Sequence, residues 1–170
     1  MKISQILLVA IAAIAWPLCI VTASSPTTII ANGETTIKDT VGGHQIVVKI
    51  WTRKIDIGKS DPTRPPISHN SCTYTRVPCS VVEAVQIVLD GISISVPRSA
   101  FCDWSDLTTA KLSVVENHPA LIASGGDASE AYEAEIQFDT SRVVKRVMAS
   151  GMDIKHPLET TTYYEVSLDN

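Results

Sequence analysis

An all-β domain, built as an antiparallel β-sandwich or flattened barrel, is the fold the sequence predicts, and three observations predict it. Thr, Ser, Val and Ile are abundant while aromatic residues make up only 5% of the chain, a composition suited to strands that pack through β-branched side chains. Several runs alternate apolar and polar residues with a period of two, Tyr132 to Phe138 most cleanly. Turn dipeptides separate those runs, Asp90-Gly91 above all. About seven to nine strands are expected, with a short helical turn near residues 99–106.

Residues 1–23 read as a cleaved secretory signal. Lys2 precedes the apolar stretch Ile6 to Ile14, and Val21-Thr22-Ala23 has the small-residue spacing that signal peptidase accepts. A transmembrane anchor is the poorer reading, because the apolar run falls short of the roughly 20 residues a bilayer needs and Pro17 interrupts it. Lipid attachment at Cys19 is poorer still, since Leu18 is too bulky for the position before a lipidated cysteine. The expectation is a periplasmic or secreted protein with no stable membrane insertion after cleavage.

Residues 24–43 read as an N-terminal arm or a first hairpin turning at Asn32-Gly33, with a single β domain over 44–170. His44 to Ile57 follows as a long strand, with Ile46, Val48 and Ile50 on one face and Lys49, Trp51 and Arg53 on the other. Gly58 to Asn70 is a proline-rich loop. Val82 to Val96 forms the clearest hairpin: a two-residue turn at Asp90-Gly91 sets Leu89 opposite Ile92, Ile87 opposite Ile94 and Val85 opposite Val96. Ser99 to Leu107 suits one or two helical turns opened by Ser99. Later strands are expected at Thr108–Glu116, Ala120–Ala123, Tyr132–Phe138, Arg142–Met148 and Thr160–Leu168, the last with Tyr164, Val166 and Leu168 on one side.

Cys72, Cys79 and Cys102 survive cleavage, and an exported chain pairs what it can. Extending the Asp90-Gly91 register places Cys79 opposite Cys102, so a Cys79–Cys102 bridge is expected, with Cys72–Cys79 the alternative. Loop entropy barely separates them, at roughly 3 against roughly 2.5 kcal/mol.

The chain carries 14 basic and 18 acidic residues, net charge −4, and no basic run, which argues against a nucleic-acid partner. The most distinctive loop is Ser124 to Tyr132. Gly125 and Gly126 let backbone approach another surface, and Asp127, Ser129, Glu130 and Tyr132 supply contacts. Arg98 and Trp104 make a second candidate recognition pair. No Gly-Lys-Ser/Thr follows the glycines, so a phosphate loop is not supported. No Gly-x-Ser-x-Gly elbow occurs, and His44, His69, His118 and His156 stand next to turns or prolines. No two histidines or cysteines have metal-ligand spacing, and no cofactor is expected.

Ser129-Glu-Ala-Tyr132 resembles, over four residues, the Ser-Gly-x-x-Tyr motif of exported bacterial lysozyme inhibitors, small β-barrels whose loop enters the enzyme's cleft; Glu130 stands where that family has glycine. The expectation is an exported, non-enzymatic binding protein of the bacterial envelope, an inhibitor or immunity protein against a cell-wall-degrading enzyme, whose partner is another protein. The alternatives are a small periplasmic hydrolase using His118, Asp127 and Ser129, and a structural or assembly subunit that uses an unpaired strand edge.

Overall fold

A computed structural model describes residues 24–55, 79–126 and 130–165. Ten strands run through them: β1 (Thr27–Thr28), β2 (Gly33–Val41), β3 (His44–Ile55), β4 (Cys79–Leu89), β5 (Ile92–Ile94), β6 (Leu107–Val115), β7 (His118–Gly125), β8 (Tyr132–Phe138), β9 (Val143–Ser150) and β10 (Asp153–Thr162). They form two antiparallel sheets, one ordered β1-β6-β7-β8-β9-β10 and the other β2-β3-β4-β5. Packed face to face, these make an all-β sandwich in which β6 to β10 follow one another in sequence across the larger sheet and β2 to β5 across the smaller, while β1 crosses over to pair with β6.

Alternation explains the core. Ile46, Val48 and Ile50 of β3 and Val85, Ile87 and Leu89 of β4 are buried, and they meet Leu112, Leu121, Ala134, Ile136 and Phe138 from the larger sheet. Because strand side chains alternate, a one-residue slip would turn each of these rows to solvent, so the apolar pattern holds the register.

The Asp90-Gly91 hairpin forms in the expected register, with Leu89 opposite Ile92, Val88 opposite Ser93 and Ile87 opposite Ile94. Asp90 and Gly91 both have positive φ, at 50° and 85°, as a type I′ turn requires. The ladder stops there, before Val85 and Val96 can pair. Ser95 makes an isolated parallel bridge to Arg142, the residue just before β9, and Pro97 leads into a 3₁₀ turn at Arg98–Ala100. This turn is the expected helical corner, but Pro97 rather than Ser99 precedes it, and no side chain caps it.

Residues 24–43 belong to the sandwich. Asn32-Gly33 is not a hairpin turn: β1 pairs with β6 in the larger sheet while β2 pairs along its length with β3, so the two segments flanking Asn32 lie in different layers. The hairpin is that of β2 and β3, and it turns at Gly42-Gly43, where Val41 faces His44. The Asn32 side chain accepts a hydrogen bond from the Lys54 amide at 3.2 Å. Ser24 Oγ accepts the Leu112 amide at 3.0 Å.

Two later segments also differ. β7 is twice the expected length, because Glu116 and Asn117 adopt positive φ and close a second tight hairpin. The final strand begins earlier than Thr160. β10 starts at Asp153, and its ladder with β9 is broken on both sides of Pro157. Tyr164 is exposed, and Val166 and Leu168 lie outside the described residues.

The Cys79–Cys102 bridge does not form. Cys102 is a free, exposed thiol, whereas Cys79 is buried and disulfide-bonded, its partner lying outside the described residues. The physical reason is the short β5: once the chain leaves the ladder after Ile94, Cys102 is carried onto the corner rather than held opposite Cys79. The Cys72–Cys79 alternative falls outside the described residues, since Cys72 does.

Candidate functional site

The corner between β5 and β6 and the root of the Gly125–Tyr132 loop come together at one end of the sandwich. Phe101 O accepts the Trp104 amide at 3.0 Å, folding the corner on itself. Asp106, with φ 46°, reverses the chain. Its amide donates to Ser80 O at 2.7 Å and its carboxylate accepts the Ser80 amide at 3.0 Å, which staples the corner to β4. The Gly126 amide donates to Asp106 O at 3.2 Å, and the Tyr132 hydroxyl donates to Ser105 O at 2.9 Å, which staples the loop root to the corner.

These contacts sort the expected contact residues. Trp104 and Tyr132 are buried members of the core, so neither is available to a partner. Burial pushes the Tyr132 hydroxyl far above its usual range, and it remains a neutral donor to Ser105. Gly125 lies in β7, where a Cβ would stand 2.5 Å from the Tyr132 hydroxyl oxygen; only glycine lets the ring lie flat there. Gly126 has φ 74°. Asp127 and Ser129 lie outside the described residues. Glu130, Arg98 and Cys102 are exposed.

Three features are absent from the sequence reading. Arg146, on the inward face of β9 opposite Ile136, is almost completely buried. Its guanidinium donates to Asp103, to Glu159 at 2.6 Å and to Ala100 O at 3.2 Å, joining the corner to β10. The available signal was a lone cation on the face that also carries Val144 and Met148. Secondly, Met152, in the turn before β10, and Ile154 and Leu158, on β10, are 76%, 55% and 76% exposed, and the side chains of β10 are uncovered on both faces. The Gly151 amide donates to Ala131 O at 2.7 Å, so the turn carrying Met152 sits beside the loop root. Thirdly, a cavity of about 190 Å³ opens between β4 and the corner, its lining including Arg53, Val81, Glu83, Arg98 and Cys102.

Of the hydrolase residues, His118 opens β7, while Asp127 and Ser129 lie outside the described residues. His44 Nδ1 pairs with Asp90 at 2.7 Å and His156 Nδ1 with Asp153 at 2.9 Å, both at the surface. The His44 contact holds the Asp90 carboxyl below its usual range. Among the described residues no three His, Cys, Asp or Glu side chains are placed to share a metal ion. Comparison with protein-family models, with curated proteins and with solved structures finds no match for this chain.

Proposed function

We propose that this chain is an exported, non-enzymatic protein that binds another protein through the end of the sandwich formed by the loop root, the Met152 turn and β10. The observation that carries the reading is the grouping of Met152, Ile154 and Leu158. Large apolar side chains exposed singly are ordinary, but several along one uncovered edge strand mark an interaction surface. Pro157 and the interruptions of the β9–β10 ladder disfavour addition of a further strand, so contact through side chains is favoured over strand pairing. Glu130 extends the same surface towards the loop tip.

An inhibitor or immunity role against a cell-wall-degrading enzyme is the specific form proposed, supported by the apolar signal-like segment, the acidic charge and a loop rooted in a rigid scaffold. The test is affinity capture from envelope extract and against a panel of muramidases and amidases. The unaltered chain is compared with Ile154→Ser/Leu158→Ser. A partner retained by the unaltered chain and lost by the variant supports the reading; retention by both moves the contact elsewhere, and no partner for either removes the reading.

A further inference from the structure

The cavity beside the corner has a charge arrangement that the apolar strip on β10 lacks, and from it we infer that the cleft is an anion subsite which takes a carboxylate-bearing side chain of a partner segment. The inference rests on the proposed binding role and names the chemistry of one part of the partner.

The local geometry comes from a bulge. Trp51 pairs with Ala84 and Thr52 with Val82, so Glu83 has no opposite residue on β3. Such an extra residue re-aims its side chain, and here the Glu83 carboxylate accepts the Arg53 Nε–H. Only Nε is used in that pair, and among the described residues the terminal nitrogens of Arg53 have no further ion pair. Arg98 stands across the cleft on the 3₁₀ turn, and its guanidinium has no ion pair among the described residues. Among the described residues two guanidinium groups face one carboxylate, so the described lining is net positive, on a chain whose overall charge is −4. The planar fork of arginine suits a carboxylate, which can accept two parallel N–H bonds.

Size narrows the ligand. Pockets for free small molecules usually span about 300–1,000 Å³, whereas this cleft offers about 190 Å³. That is room for one acidic side chain with an aliphatic neighbour laid on Val81. The corner also touches the end of the β10 surface, through Ser99 Oγ and the Tyr163 hydroxyl 3.3 Å apart, so a segment lying on β10 has a continuous path to the cleft.

Cys102, free and on the rim, serves as a built-in reporter. The experiment measures its rate of modification in the mature protein by a dianionic aryl disulfide, 5,5′-dithiobis(2-nitrobenzoate), and by the neutral 2,2′-dithiodipyridine. Taking the ratio cancels the reactivity of the thiol itself and leaves the preference of the cleft for negative charge. Arg98→Gln is expected to lower the ratio roughly three-fold and Arg53→Gln/Arg98→Gln roughly ten-fold, as is about 1 M salt, where the Debye length is only about 3 Å. Lys155→Gln, the same change of net charge on β10, leaves it unaltered. N-acetyl-Ile-Glu-amide slows the neutral reagent, while N-acetyl-Ile-Gln-amide does not. A ratio indifferent to both arginines, or equal protection by the two dipeptides, overturns the inference. Neither readout depends on Ile154 or Leu158, so failure here is distinct from failure of the capture experiment.

Discussion

Arg146 Nη1 donates to Glu159 Oε1 at 2.6 Å across β9 and β10, from a guanidinium whose side chain is only 3% exposed to a carboxylate that is 53% exposed. Asp103 engages the other terminal nitrogen from the corner. A buried cation is thus neutralised by two acids that both reach solvent, and it ties the uncovered edge strand to the rest of the sandwich.

The asymmetry predicts unequal costs. Arg146→Met leaves two carboxylates that water can solvate and is expected to cost about 1–2 kcal/mol, whereas Asp103→Asn/Glu159→Gln leaves the buried guanidinium without a counter-charge and is expected to cost about 3 kcal/mol or more. Urea denaturation of the two variants measures the difference. Equal losses would show that the acids, not the arginine, bear the burial.

Glu159 is held below the usual glutamate range, first by the Thr161 hydroxyl, which donates to it at 2.9 Å, and then by Arg146. A depressed pKa in the folded state means that the unfolded chain takes up this proton first on acidification. The contribution is complete above the unfolded value and is lost as pH falls through the folded one. The gap in melting temperature between the unaltered chain and Glu159→Gln is therefore expected to be widest near neutrality and to close as the pH falls below the usual glutamate range. A gap independent of pH would count against the ion pair.

Gly125→Ala should destabilise the fold by about 1–3 kcal/mol, because the added Cβ would stand 2.5 Å from the Tyr132 hydroxyl oxygen and 2.6 Å from Cζ. Tyr132→Phe alone should cost about 1 kcal/mol for the lost bond to Ser105. In that background Gly125→Ala should cost less, since the nearest atom is gone. Additive losses in thermal melts would place the strain elsewhere. Tyr132→Ala empties a core site, so any loss of binding it causes reflects unfolding.

Alkylation of the native chain with iodoacetamide, followed by peptide mapping, should label Cys102 and spare Cys79. If residues 1–23 are cleaved, as the sequence predicts, Cys72 is the cysteine left to pair with Cys79, and those two peptides are expected to be joined. Recovery of a peptide linking Cys79 to Cys102 would contradict the geometry of the corner. Cys102→Ser, at an exposed position, should change stability by less than about 0.5 kcal/mol.

Much of the candidate site was legible only in part. The Gly125–Tyr132 segment and the Arg98–Trp104 corner were both visible as unusual stretches, yet nothing in either indicated that Tyr132 would donate to Ser105 and bring them together. Composition marks Tyr132 and Trp104 equally as contact residues or core residues. Burial decides, and burial depends on the opposite sheet. Nothing local marks Arg146, because arginine on a strand is ordinarily a surface residue and its partners are 43 and 13 positions away.

What the sequence determined by itself is local: the period-two strands, the Asp90-Gly91 turn with its register from Ile87 to Ile94, and the row of Tyr132, Ala134, Ile136 and Phe138. Alternation and turn chemistry act over a few residues and need no distant partner. Tertiary structure alone decided which sheet each strand joins, why β5 ends at Ile94, where Cys102 lies and which charges are buried. Ser95 leaves its ladder for Arg142, and residues flanking Asn32 part into separate layers, because pairing across the sandwich satisfies backbone groups and buries apolar rows that no neighbouring residue in sequence can cover.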